Sequence, residues 1–174
     1  HLSIRRQRQM CIRDRYPSLF FFRDWCNSCG GGEFWLSETP HLHRSKSWDS
    51  AFPRMLSFAK LGWKGPGGHF LWAAVTHLDH AGATARYEQA KILAGWIKER
   101  QGPAILMGDF NDRPGSRVHR VLTGPGTGLQ DTWEMAGGEE DRGSYTHHGF
   151  LGIPQKARMD WILVSPHFRV RDVR

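Results

Sequence analysis

Uninterrupted apolar stretches of the length a bilayer requires, about 18 residues, are missing from this 174-residue chain, which argues against a membrane-spanning helix. Cysteine is scarce. Cys11, Cys26 and Cys29 are the three present, and an odd number gathered near one end makes no complete disulfide framework. Cys26 and Cys29 have the spacing of a zinc-ligand pair, with His41 or His43 as further donors, but a second closely spaced pair is missing. Glutamate is absent from residues 1–32. The chain also starts without Met and without an apolar stretch leading to a small-residue cleavage site, so no signal peptide is expected there. A soluble monomer is the expectation.

What is present favours one folded domain. The apolar share of 39%, eight Trp and ten Phe suit a globular core, while 20 Gly and nine Pro call for many turns. A net charge of +7 invites a nucleic-acid reading, because Lys and Arg neutralise phosphates. Its distribution weakens that reading. Residues 1–23 hold six Arg against Asp14, whereas residues 69–174 hold 13 basic and 12 acidic side chains.

Local patterns are clearest from position 69 onward. Phe70 to Thr76 is a near-continuous apolar run of strand length, as expected for a strand covered on both faces. Between Ala83 and Arg100, Ala83, Tyr87, Ala90, Leu93, Ala94 and Ile97 recur at helical spacing, opposite Arg86, Glu88, Lys91, Lys98 and Glu99; Gly102 and Pro103 then stop the helix. Ala104 to Met107 is a second buried strand, and strand, helix and strand in series predict a parallel crossover. A short helix is expected over 116–122. A third strand spans Met159 to Val164, with Met159, Trp161 and Leu163 on one face and Asp160, Ile162 and Val164 on the other.

Three polar clusters stand at the ends of these strands: Thr76-His77-Leu78-Asp79-His80, Gly108-Asp109-Phe110-Asn111-Asp112, and Arg158-Met159-Asp160-Trp161. Open sheets gather their sites at such edges. Hydrolysis of a phosphodiester needs an activated water, neutralisation of phosphate charge and help for the departing alkoxide. Asp109 and Asn111 would share a side of an extended backbone and form a hard oxygen pair for Mg²⁺ or water. Each cluster also has a plainer reading: Asp109 to Asp112 as a turn, His77 as a surface histidine, and Asp160 as an ion-pair partner of Arg158.

Taken together and in this order, the clusters resemble the threonine-histidine, glycine-aspartate-x-asparagine and arginine-x-aspartate-aromatic motifs of the endonuclease/exonuclease/phosphatase family. Phe34 to Pro40, Trp48-Asp49 and Pro53-Arg54 look like the upstream segment of its bacterial members, so the likeness covers about residues 32–174. The resemblance implies an α/β fold, a four-layer sandwich of two mixed β-sheets packed face to face with outer helices, here incomplete. It implies Mg²⁺-dependent hydrolysis of a phosphoester or phosphodiester, with Mn²⁺ as a substitute metal. The substrate would be nucleic acid, a small phosphorylated molecule or a phospholipid.

By the same resemblance, His77 contacts the scissile phosphate and Glu38 orients its imidazole. Asp109 and Asn111 hold the metal and the attacking water, and Asp160 orients a second histidine. Thr146-His147-His148-Gly149 looks like a threonine-phenylalanine-histidine-glycine segment with His147 in the aromatic position, which makes His148 a substrate-binding candidate. Arg54 is another, through phosphate; an arginine near Trp48 could equally stack or pair.

Two family motifs, an early glutamine-glutamate pair that binds the metal and a terminal serine-aspartate-histidine, do not occur in the sequence. A fragment is therefore expected, with unpaired sheet edges and marginal stability. The alternative function is an inactive fragment or a binding module that keeps the fold. Residues 1–31 are expected to stand outside the family domain; Gln9 to Leu19 resembles translated sequencing adapter, which would explain the local charge and cysteine.

Overall fold

The computed structural model describes residues 16–149 and 151–173. Their elements run β1 (Cys26–Trp35), β2 (Met55–Trp63), β3 (Phe70–His77), α1 (Ala83–Lys98), β4 (Ala104–Asp109), α2 (Arg117–Thr123), β5 (Gln130–Asp131), α3 (Thr132–Met135) and β6 (Asp160–Val164). The strands form one mixed sheet in the order β1-β2-β3-β4-β6-β5. As the apolar pattern predicted, β3 and β4 are parallel and joined through α1, while β4 and β6 are antiparallel.

Strands β1 and β2 had no counterpart in the sequence reading. The first is glycine-rich and exposed over Asn27 to Glu33, so it carries no hydrophobic period. Pairing with β2 makes it a strand, with an irregular register between Ser28 and Gly31. Of residues 1–31, set apart in the sequence reading, 1–15 lie outside the described residues and 26–31 belong to β1. Among the described residues, Cys26 and Cys29 join no group of three metal-ligand side chains.

Helices cover one face of the sheet. Leu56, Ala74, Leu106, Trp161 and Leu163 pack there against Leu93, Trp96 and Ile97 of α1 and Val118 and Leu122 of α2. Each fully buried large apolar side chain contributes about 1.5–3 kcal/mol. The buried line of α1 runs through Ala85, Gln89, Ala90, Leu93, Ala94, Trp96 and Ile97, so the helix is turned from the expected face: Ala83 is exposed and Tyr87 only part-buried. Gln89 is sealed because its Oε1 accepts the Asp79 N–H at 2.9 Å. Residue Gly82 supplies no side-chain cap. Asp49, from a distant loop, accepts the N–H groups of Thr84 (3.3 Å) and Ala85 (2.6 Å) instead.

The other face carries Val75, Met107 and Ile162, all in part or well exposed, beside the buried Ala73, so the double burial expected for β3 is met only at its centre. Of the two sheets in the expected sandwich, one is present among the described residues.

Candidate active site

Cross-strand register builds the site. His77 pairs with Asp109 across β3 and β4, and Asp109 pairs with Asp160 across β4 and β6. Register partners share a face of the sheet, so three side chains from distant sequence positions stand in one row. The neighbouring row, Thr76, Gly108 and Trp161, faces the helices. Nε2 of His77 lies 3.4 Å from Oδ2 of Asp109, and both side chains are part-exposed.

Asp109 and Asn111 meet by a turn rather than along an extended strand. Asn111 has φ 50, and its N–H donates to Asp109 Oδ1 at 2.9 Å. Its Nδ2 donates to Leu78 O at 2.9 Å, tying the loop after β4 to the loop after β3. The extended geometry fails because the strand ends at Asp109 and an aspartate can cap the amide two residues on. Gly108 is needed just before it: at φ 142, a Cβ there would lie 1.9 Å from Thr76 O.

Behind this row lies a buried ion pair. Arg54 Nε is 3.3 Å from Asp79 Oδ2, both side chains have 0% exposure, and Arg54 Nη2 lies 3.1 Å from His80 Nδ1. Arg54 is thus packed inside rather than presented to a phosphate, and its charge acts on the site through space. Burial alone would raise Asp79, but N–H donors from Gly82, Ala51, Ala81 and Phe52 outweigh it and hold the carboxyl far below the usual range. Glu38 is exposed beyond β1, its N–H bonded to Ser47 Oγ at 3.0 Å; the carboxylate paired with His77 is Asp109.

The head of β6 is held from two sides. Thr146 Oγ1 accepts the N–H groups of Met159 (2.9 Å) and Asp160 (3.0 Å). Arg158 does not pair with Asp160 as the plainer reading had it. It turns inward and donates from Nη1 and Nη2 to Asp131 at 3.2 and 2.9 Å, and from Nε to Glu140 at 2.8 Å. Asp131 also meets His119 Nε2 at 3.0 Å. Sequence reading missed this network because its members come from four separate segments. Trp161 is fixed beside it, stacked on Phe110 (centroids 4.5 Å apart) and edge-on to His119 (4.9 Å).

Burial pushes the Asp109 carboxyl up, and repulsion from Asp160 adds to this; the Asn111 N–H and the charges of Arg54 and His147 oppose it. Two carboxylates opposed across an antiparallel pair destabilise one another unless a cation stands between them. That opposition, with Asn111 Oδ1 unbonded among the described residues, fits a hard divalent cation, which takes oxygen donors. The other candidate group, His119, Asp131 and Glu134, fits poorly, because Arg158 already occupies both oxygens of Asp131. A cavity of about 210 Å³ lies over Asp109 and Asp160, walled by Thr146, His147 and His148. His148 is exposed on that wall.

The model of the endonuclease/exonuclease/phosphatase family matches residues 9–174. A mannosyl-6-phosphatase of Bacteroides thetaiotaomicron is similar, at 31% identity and TM-score 0.70, over 84% of this chain and 55% of that one. An endonuclease/exonuclease/phosphatase from Bacteroides vulgatus is similar at 30% identity and TM-score 0.75, over 84% and 57%. The fold is also that of D. rerio TDP2 complexed with single strand DNA product, at 17% identity and TM-score 0.62, over 94% and 68%. This chain spans a little over half the length of the two bacterial structures. No curated protein matches it.

Proposed function

The chain belongs to the endonuclease/exonuclease/phosphatase family, and from that premise we propose that it carries the central part of a Mg²⁺-dependent phosphoester hydrolase site. The observation that carries this reading is the row His77, Asp109, Asp160 on three adjacent strands. Asp109 is oriented on one oxygen by the Asn111 N–H and on the other by His77, which suits a carboxylate that positions a water and takes its proton. His77 presents an imidazole to a phosphoryl oxygen. Asp109 and Asn111, with Asp160 opposite, would hold Mg²⁺ or Mn²⁺, which supplies charge neutralisation for the phosphate. Arg54, buried behind, sustains the ionised form of Asp109 by its charge. Glu38, at the same end of the sheet as His77, is proposed as a further orienting group.

For the substrate, the 31% identity to a mannosyl-6-phosphatase favours a small phosphorylated molecule over nucleic acid or phospholipid. The basic tail does not weigh against this, since the charge balance from residue 69 onward is close to neutral. The test is a panel of sugar phosphates, nucleotides, DNA, RNA and phospholipids incubated with Mg²⁺. Turnover of at least one phosphoester, abolished by Asp109→Ala, is expected. Unchanged turnover in both Asp109→Ala and His77→Ala would sink the mechanism.

A further inference from the structure

The wall of the 210 Å³ cavity is built of imidazoles and a hydroxyl, with no Lys or Arg among its described lining residues. A phosphate beside Asp109 and Asp160 therefore needs N–H donors from that wall as well as a cation. The backbone of His147 is tied into this wall on both sides. Its N–H donates to Ala157 O at 3.5 Å, its carbonyl accepts the Gln155 N–H at 2.6 Å, and the preceding Thr146 is bonded to the head of β6. Gly149, at φ 53, turns the chain back against the ring: a Cβ there would lie 3.6 Å from His147 Cε1. Nδ1 is shut off from solvent with no hydrogen-bond partner among the described residues, so Nε2 is the polar atom of the ring left to meet a ligand.

We infer that His147 is a phosphate-binding residue of this site, donating from its imidazole to a phosphoryl oxygen held beside Asp109 and Asp160. The choice of ligand rests on the hydrolase reading above. The influence of His147 on the Asp109 carboxyl is consistent with this placement. In the sequence the position read as a departure from an aromatic residue, so a hydrogen-bonding ring stands where an apolar one was expected.

The test titrates inorganic phosphate, with Mg²⁺ present, into the full chain and into His147→Phe and His147→Gln, following histidine ring resonances and the phosphate Kd. Turnover of bis(p-nitrophenyl) phosphate is measured in parallel. The expected result is a phosphate-dependent shift of the His147 ring and a loss of affinity of about tenfold or more in His147→Phe. His147→Gln, which keeps an N–H donor, should recover part of that loss, and the effect on turnover should fall on KM rather than kcat. A His147 ring that ignores phosphate, or a His147→Phe chain that binds phosphate as tightly as the parent, overturns the inference whatever the turnover. Phosphate binding through His147 without turnover of any phosphoester keeps it and overturns the hydrolase reading instead.

Discussion

His77 and Asp109 are register partners at the ends of the parallel strands β3 and β4, with Nε2 of one 3.4 Å from Oδ2 of the other. Both are part-exposed, so neither anchors the core. Asp109→Ala should lower phosphoester turnover by about 10²–10⁴-fold, and its unfolding free energy should stay within about 1 kcal/mol of the parent. Steady-state kinetics with a denaturant melt checks both; a lost fold would show the row to be structural instead.

Asp109 and Asp160 oppose one another across β4 and β6. In metal-free protein, Asp160→Asn should raise stability by roughly 0.2–1 kcal/mol, the size of a cross-strand charge pair. Mg²⁺ should raise the melting temperature of the parent, because a ligand that binds only the folded state stabilises it. The variant should respond less. An equal Mg²⁺ response in both would remove Asp160 from the metal site.

Asp79 is held far below its ordinary value of 3.8 by four backbone donors that outweigh its burial. The stabilisation this gives is complete above that value and is lost as pH falls below it. Unfolding free energy measured from pH 5 down to pH 2 should therefore drop. Asp79→Asn, which strands the buried Arg54 cation, should be less stable at pH 7 by about 3–5 kcal/mol and show a shallower acid slope.

Arg158 is raised above its ordinary value: burial opposes the charge, and Glu140 and Asp131 more than compensate. Removing Asp131 would strip a buried guanidinium of its two-bond partner. Asp131→Ala should destabilise by about 3–5 kcal/mol, whereas Asp131→Leu with Arg158→Met should cost much less. Chemical denaturation of the three proteins measures the difference.

Gly108→Ala should be among the most damaging single changes near the end of β4, since its Cβ would meet the Thr76 carbonyl at 1.9 Å in a conformation that already disfavours side chains. Backbone strain of this kind costs on the order of 1–3 kcal/mol, before the displaced strand end is counted. Reduced stability together with reduced turnover is expected, because the same shift moves Asp109 from His77.

Much of this was legible in the chain. The apolar run at Phe70, the helical spacing after Ala83 and the run at Ala104 predict a parallel crossover from local pattern alone, because two apolar runs of strand length flank a segment whose apolar residues recur at helical spacing. The family motifs marked His77, Asp109, Asn111 and Asp160, and the strand ends showed where they would gather. Local pattern could not show β1, whose exposed glycines have no period, nor the face of α1, which Gln89 turns inward to bond the Asp79 backbone.

Tertiary structure decided the rest. Which carboxylate meets His77, and that Asp109 stands opposite Asp160, depend on register between strands far apart in the sequence, which a one-residue slip would reverse. From sequence, Arg54 was a candidate either to bind phosphate or to stack or pair, and Arg158 had a plainer reading as an ion-pair partner of Asp160. The fold sealed both against Asp79 and Asp131, because a buried guanidinium is tolerated only where carboxylates from elsewhere in the chain close around it. Residue type and order thus set what chemistry the chain can offer, and packing set which charges face the cavity.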